Sequence, residues 1–320
     1  MGRSIKDYIT NGLKGLAMGA ADVVPGVSGG TIAFITGIYE ELIGTIDNLN
    51  LNIFKTWQKE GFKKMFTTYN LGFLISLFLG VFISIISLAK IISHLLDNHP
   101  ILVWSFFFGL VLASIIYIGK QIEKWNVLTF VAIILGATIA YYITIASPAT
   151  APDEWYYYLF SGAIAIIAMI LPGISGSFIL VLLGSYSLVL EALTNFIEGL
   201  LAGDWEIIKT NFIKVFTLII GCLVGIKLFS KILKWMFANK KNITLAVLTG
   251  FMIGSLNKIW PWKKVISTRI DRHGVEVPLL ENSISPFSFN GDANLMFAII
   301  LATIGFVLIL LMEKWANKNH

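Results

Sequence analysis

Two short breaks interrupt apolar segments of the chain, and both contain the pattern Pro-Gly-x-Ser-Gly. The first break covers residues 24–30 and the second covers residues 171–177. Proline ends a helix because it lacks an N–H and clashes with the preceding turn, whereas glycine tolerates backbone angles that other residues avoid. A helix that begins after such a break points unpaired N–H groups and the positive end of its dipole into the protein. The pattern therefore predicts an anion pocket, for phosphate or carboxylate, at each break.

Serine and glycine have separate uses at these breaks. Ser28 and Ser175 can cap the helix that follows, and Gly26, Gly29 and Gly176 let a ligand approach bare backbone. The alternative interpretation is that both breaks are structural kinks that let helices pack closely. Because the motif occurs twice in matched positions, we favour a shared binding site, although the pattern does not identify the anion.

Asp22 is an ionisable residue deep in an apolar stretch, three residues before Pro25. Such a group is costly inside a membrane and is a functional hypothesis by default. It could carry a coupling proton or bind Na⁺ beside unwound carbonyl groups. Alternatively, it caps the backbone of its own segment. The matching residue of the second half is Met169, and the sequence leaves both interpretations open.

The composition places these breaks in a membrane protein. Of 320 residues, 56% are hydrophobic and 13% are charged, against about a quarter charged in soluble domains. Apolar runs of roughly 17–25 residues span a bilayer as helices, and they do not alternate as barrel strands would. The sequence predicts an all-α polytopic membrane protein. We predict six full spans, at about residues 71–92, 101–118, 127–145, 212–229, 243–259 and 295–312.

The charged residues indicate topology rather than a soluble partner. The net charge of +5 comes from Lys and Arg in short loops, which we assign to orientation and lipid headgroups, not to nucleic acid. The single cysteine, Cys222, and the four histidines show no metal-ligand spacing, so neither a metal nor a cofactor is predicted.

Two interrupted segments, at about residues 8–46 and 155–197, are predicted to be re-entrant hairpins that enter and leave on one side. Kinked spanning helices are the alternative. Basic residues flank the first segment on both sides, which favours a hairpin with cytoplasmic ends. The charges place both termini in the cytoplasm and the loop at residues 261–292 outside, although that loop carries Lys263, Lys264, Arg269 and Arg272.

The sequence predicts two repeats, residues 1–150 and 151–320, each a hairpin followed by three crossings. Aligning the two breaks also aligns Gly37 with Gly184 and Tyr39 with Tyr186. With a slightly shorter offset, further pairs follow: Asn70 with Asn211, Gly80 with Gly221, Lys90 with Lys231, Asn98 with Asn239, Gly109 with Gly250 and Ser114 with Ser255. An odd number of crossings inverts the second copy, an arrangement typical of secondary transporters with a site near the midplane.

Lys90 and Lys231 occupy matching positions near opposite faces of the predicted bundle. They could attract an anionic headgroup on each side of the membrane. Alternatively, their side chains only extend to the interface, as lysines near the ends of spans commonly do.

The motifs carry a family resemblance. Residues 19–31, GAADVVPGVSGGT, followed by Gly37 and Tyr39, resemble the first motif of the bacterial polyprenyl-phosphate transporter family, PopT. Residues 171–177, LPGISGS, with their own following glycine and tyrosine, resemble the second motif. The resemblance extends over nearly the whole chain, to about residue 260.

The resemblance implies a flippase of the bacterial cytoplasmic membrane that returns undecaprenyl phosphate from the outer to the inner leaflet. This recycles the lipid carrier used in cell-envelope synthesis. The phosphate head would then be held by the residues of both motifs: Pro25, Gly26, Ser28, Gly29, Gly30, Thr31, Pro172, Gly173, Ser175, Gly176 and Ser177. Asp22 is our candidate for coupling to H⁺ or Na⁺.

Three other classes of function compete with this one. A secondary transporter of a small water-soluble anion would use the same pockets, so the residues alone do not exclude it. A lipid-phosphate phosphatase needs a histidine with several basic residues around phosphate, and no histidine lies near a break. A scaffold protein has no need of weakened helices at matched depth.

Overall fold

The computed structural model of the chain describes residues 3–24, 27–270 and 276–318. Seven helices precede residue 150: α1 (Ile5–Val23), α2 (Gly29–Ile35), α3 (Tyr39–Asn48), α4 (Asn52–Thr68), α5 (Leu71–Asn98), α6 (Pro100–Lys120) and α7 (Val127–Ile145). After it come α8 (Trp155–Ile170), α9 (Gly176–Leu182), α10 (Tyr186–Ala202), α11 (Trp205–Ser255), β1 (Lys263–Ile270), β2 (Glu276–Ser283), a 3₁₀ turn (Pro286–Ser288) and α12 (Leu295–Lys318).

Five helices of the described chain are long and apolar enough to cross a membrane: α5, α6, α7, α11 and α12. The 51 residues of α11 would extend about 75 Å as one helix, more than twice the roughly 30 Å of a bilayer core. The backbone leaves the helical region at Lys240 (φ −140°, ψ 43°), so α11 is two helical segments. The predicted all-α polytopic class is confirmed, although the fifth predicted span continues to residue 259, beyond the end of α11.

Each interrupted segment contains three helices, so each has a second break in addition to the Pro-Gly-x-Ser-Gly motif. In the second, α9 is bent by 111° from α10. Gly184 lies in this bend at φ +69°, and Gly37 lies at φ +72° between α2 and α3. This left-handed backbone favours glycine because a side chain there is strained. In each segment, a glycine with positive φ therefore lies at the second break.

The backbone angles of the two halves match at several breaks. Ser28 (φ −123°, ψ 131°) and Ser175 (φ −97°, ψ 132°) precede the two seven-residue helices α2 and α9. His99, between α5 and α6, has φ −137° and ψ 50°, close to the values at Lys240. The corresponding breaks therefore have similar local conformations.

Glycines bring helices into close contact in the same way in both halves. A Cβ on Gly80 of α5 would clash with the carbonyl oxygen of Gly12 in α1, and a Cβ on Gly221 of α11 would clash with that of Leu159 in α8. Between the halves, Gly109 of α6 leaves no room for a Cβ beside α12, and Gly250 of α11 leaves none beside α7. Helices from each half are therefore interlocked with helices of the other.

The largest hydrophobic cluster surrounds the first break and includes Val24, Val27, Phe73 and Met252. The exposed apolar side chains of the spans face outward, as expected for a surface in lipid. The pair β1–β2 is an antiparallel hairpin that the sequence did not predict. The indole N–H groups of Trp260 and Trp262 donate to the carbonyl oxygens of Ile284 and Ala293, both at 2.9 Å, and fix the base of the hairpin.

Candidate functional site

The two breaks contact each other directly. The Ser28 hydroxyl lies 3.2 Å from the carbonyl oxygen of Leu171, to which it can donate. The Tyr39 hydroxyl donates to the carbonyl oxygen of Ile170 at 3.2 Å. In the opposite direction, the N–H of Gly173 donates to Oγ1 of Thr31 at 3.1 Å. Residues more than 130 positions apart are thus joined by hydrogen bonds within the bundle.

These contacts supply hydrogen-bond donors to carbonyl groups at the C-terminal end of α8. A helix leaves its last carbonyl groups without partners in the helix, and side chains of the first half supply donors for two of them. Gly30 packs so closely that a Cβ there would lie 2.5 Å from the carbonyl oxygen of Ile170. The first break therefore acts as part of the C-terminal cap of α8, and a larger residue at position 30 would separate the two breaks.

The first N–H groups of α2 already donate hydrogen bonds to acceptors within the chain. The N–H of Gly29 donates to Oδ1 of Asp22 at 2.7 Å, and that of Gly30 donates to Oγ of Ser28 at 3.1 Å. The N–H of Thr31 donates to the carbonyl oxygen of Ser28 at 2.9 Å. Of the two interpretations of Asp22, the capping contact is the one present here. Ser28, Gly29, Gly30 and Thr31 are all buried.

The second break is more open. Ser175 makes no capping hydrogen bond to α9 within the described chain, and its hydroxyl lies 2.9 Å from that of Ser177. Ser177 is exposed and Gly176 is half-buried. Met169 stands where the first half has Asp22, so no carboxylate from the matching position reaches this helix start.

The remaining predicted residues have varied surroundings. Pro172 and Gly173 are buried, and Gly173 has φ +89° with Oγ of Ser255 only 2.6 Å from the position of a Cβ. Lys90 and Lys231 are exposed on α5 and α11, and their proposed role stays a prediction. Pro25 and Gly26 lie outside the described residues.

Two lysines that we did not assign to the site hold the first interrupted segment in place. The amine of Lys14 donates to the carbonyl oxygen of Thr36 at 2.8 Å, at the end of α2. The amine of Lys227 donates to that of Leu49 at 2.6 Å, at the end of α3. Cations at helix C-termini satisfy free carbonyl groups and the dipole. For Lys14 and Lys227, the sequence feature that could have indicated this role is a lysine inside an apolar run.

The start of the second interrupted segment is anchored by an ion pair. Oδ2 of Asp153 lies 2.6 Å from the amine of Lys214 in α11, and Oδ1 accepts a hydrogen bond of 2.6 Å from the Tyr158 hydroxyl in α8. These hydrogen bonds, from Lys214 first and then Tyr158, hold the pKa of Asp153 below its usual value. The start of α8 is therefore fixed to α11.

Comparison with known proteins shows the family of the chain. The model of the VCA0040-like family, described as undecaprenyl phosphate translocase-like, matches residues 18–277. A polyprenyl-phosphate transporter of Vibrio cholerae serotype O1 is 46% identical over 316 residues, covering 98% of each chain. A polyprenyl-phosphate transporter of Staphylococcus aureus is 32% identical over 266 residues, covering 78% of this chain and 86% of the relative. No solved structure matches the chain. The family match covers most of the chain and the first of these relatives nearly all of it, so the chain belongs to the VCA0040-like, undecaprenyl phosphate translocase-like family.

Proposed function

We propose that this protein is a flippase for undecaprenyl phosphate or a related polyprenyl phosphate, returning the phosphate head from the outer to the inner leaflet of the bacterial cytoplasmic membrane. The observation that carries the proposal is the direct contact between the two breaks through Ser28 and Thr31. Both relatives described above bear the name polyprenyl-phosphate transporter. Transport breaks no bond of the headgroup, so the proposal requires no catalytic residue.

The two halves are proposed to be inverted repeats, residues 1–150 and 151–320, with both chain termini in the cytoplasm. The matching backbone angles at His99 and Lys240 support this division. The matching clashes that a Cβ would meet at Gly80 and Gly221 support it independently. In such an arrangement, one hairpin opens from each side and the two tips meet near the midplane.

The phosphate head is proposed to bind first at the second break. Ser177 is exposed and Gly176 is half-buried there, whereas Ser175, whose hydroxyl lies 2.9 Å from that of Ser177, is buried. Gly173 and the first-break residues around Ser28 are also buried, so they are proposed to join the site only when the contact between the breaks opens. The prenyl tail stays in lipid, because only the head needs polar partners.

Asp22 is proposed to couple the movement to a cation. Moving one negative charge inward against an inside-negative potential costs about 2.3 kcal/mol per 100 mV. The Asp22 carboxylate holds the N–H of Gly29, a donor that the phosphate could otherwise use. Binding of H⁺ or Na⁺ to Asp22 would weaken this competition, so the cation and the phosphate would enter together.

The test is transport in proteoliposomes that contain a fluorescent prenyl phosphate. The accessibility of the phosphate head to a membrane-impermeant reagent is measured in both leaflets. Uptake of radiolabelled inorganic phosphate and release of phosphate from the lipid are measured in parallel. We expect protein-dependent loss of the lipid head from one leaflet, without phosphate release. Uptake of soluble phosphate with no lipid movement would instead support the small-anion transporter, and phosphate release would support an enzyme.

A further inference from the structure

A small cluster of charged residues lies where α11 passes into the β-hairpin. The amines of Lys258 and Lys263 both lie 3.6 Å from Oε2 of Glu281. This separation is longer than a hydrogen bond between an ammonium and a carboxylate, which is about 2.7–2.9 Å. The cluster thus has two cations around one loosely held carboxylate, and an excess positive charge.

Lys263 is a buried lysine of β1. Its side chain is 8% exposed, and among the described residues its amine has no hydrogen-bond partner. The amine lies 4.0 Å from the centre of the Trp104 ring in α6. Burial lowers the pKa of Lys263 to about 8, and the nearby Glu281 partly opposes the change. A buried ammonium group that has only the Glu281 carboxylate at 3.6 Å and the face of the Trp104 ring beside it retains donors that a closer anion could use.

The cluster adjoins the second break. The amine of Lys258 lies 4.5 Å from the centre of the Phe178 ring, in the first turn of α9. Phe178 directly follows the exposed Ser177. On the other side, the Trp260 ring packs edge-on against Phe108, 5.3 Å between ring centres. Each lysine thus lies against an aromatic ring, Lys258 against Phe178 and Lys263 against Trp104. Phe178 is the residue next to Ser177 of the proposed head site.

We propose that Lys258 and Lys263 form a receiving site for the phosphate monoester of the lipid head, and that Glu281 occupies this site until the phosphate displaces it. The inference rests on the proposed function and extends it. A phosphate monoester carries up to two charges on three oxygens, so it can reach both amines where one carboxylate oxygen reaches neither closely. Lys263, one of the basic residues of the loop that our topology places outside against the usual charge rule, then has a function.

The test is equilibrium binding of farnesyl phosphate to the purified full-length protein in nanodiscs, with inorganic phosphate and farnesol as comparison ligands. The variants are Lys258→Gln, Lys263→Gln and Glu281→Gln, and the matched control is Lys264→Gln, an exposed neighbour on β1. A charge-assisted contact contributes enough that each lysine variant is expected to bind about tenfold more weakly or worse. Glu281→Gln is expected to bind more tightly, because the competing carboxylate is gone, and Lys264→Gln is expected to match wild type.

The outcomes separate this inference from the proposed function. If the wild type binds farnesyl phosphate and transports lipid, and Lys258→Gln binds with unchanged affinity, the lysine site is overturned but the proposed function is not. Because Lys258 is less buried than Lys263, its variant tests the site even if Lys263→Gln fails to fold. Weaker binding in Glu281→Gln would show a structural ion pair and contradict displacement. Inorganic phosphate binding as tightly as farnesyl phosphate would overturn a lipid-head site, and a wild type that binds neither would overturn both proposals.

Discussion

The carboxylate of Asp22 accepts a hydrogen bond of 2.7 Å from the backbone N–H of Gly29, across the first break. A Cβ on Gly29 would lie 2.6 Å from Oδ2 of the same carboxylate, so the glycine makes the contact possible. The second half has Met169 at the position matching Asp22. The contact of Asp22 with Gly29 therefore distinguishes the first break chemically from the second. It places an acid where an anion would bind.

Replacing Asp22 by asparagine is expected to separate coupling from folding. The amide oxygen of Asp22→Asn can still accept from Gly29, so insertion and melting temperature should stay close to wild type. The amide is already neutral and takes up no H⁺ or Na⁺ to offset the charge of the phosphate. Imposed gradients should therefore no longer accelerate lipid transport, and the rate should fall about tenfold, the effect of roughly 1.4 kcal/mol. Transport is measured in proteoliposomes with and without each gradient. Glu123→Gln, at an exposed loop position, is the control. A variant that keeps the full gradient response would remove Asp22 from coupling.

Adding one methyl group at Gly30 is expected to disturb the contact between the breaks. The Cβ of Gly30→Ala would lie 2.5 Å from the carbonyl oxygen of Ile170, and overpacking of this kind costs about 1–3 kcal/mol. The matched control is Gly44→Ala in α3, where a Cβ meets nothing within 4 Å and helix propensity improves. Thermal unfolding in detergent should show a lower melting temperature for the first and no loss for the second. Equal melting temperatures would contradict the close contact.

Matched glycines in the two halves are expected to respond alike. Gly80→Ala and Gly221→Ala each force apart a helix pair at a backbone carbonyl, α1 from α5 and α8 from α11. Both should lower the melting temperature by similar amounts, whereas Gly119→Ala at an open position of α6 should not. A large loss at one glycine with none at the other would argue against equivalent repeats.

The ion pair at the start of α8 predicts a dependence of stability on pH. The pKa of Asp153 is lowered in the folded protein by hydrogen bonds from Lys214 and Tyr158. Its contribution is therefore present above the unfolded pKa near 4 and is lost as the pH falls through the folded pKa. Because the carboxylate is 51% exposed, the effect is about 0–1 kcal/mol. Asp153→Asn should melt below wild type at pH 7, and the difference should shrink below about pH 4. A difference that is independent of pH would show that packing, not charge, is lost.

The spans and the breaks were predictable because they depend on local properties. Apolar length fixes a crossing helix, and proline with glycine fixes its interruption, as the ends of α1 and α8 show. The breaks between α2 and α3 and between α9 and α10 were not predicted, although Gly37 and Gly184 were aligned. An aligned glycine does not reveal a positive φ until the backbone is known.

Long-range partners could not be predicted. The contact of Tyr39 with Ile170 joins residues of different halves, and no local pattern encodes it. The same holds for Lys258 and Glu281, whose approach depends on a β-hairpin with an irregular register. Asn70 and Asn211 also aligned in sequence, yet Asn70 has φ +51° between two helices while Asn211 lies inside α11. Matching residue types therefore did not guarantee matching conformations.

Undecaprenyl-phosphate exposure on the outer face of cells tests the central claim most directly. It is read with a probe that binds the phosphate head, in cells that have no other recycling protein, with this protein present, depleted, or replaced by Asp22→Asn. We expect exposure of the lipid head to rise on depletion, and to be restored by wild type but not by the variant. Unchanged exposure on depletion would contradict transport of this lipid.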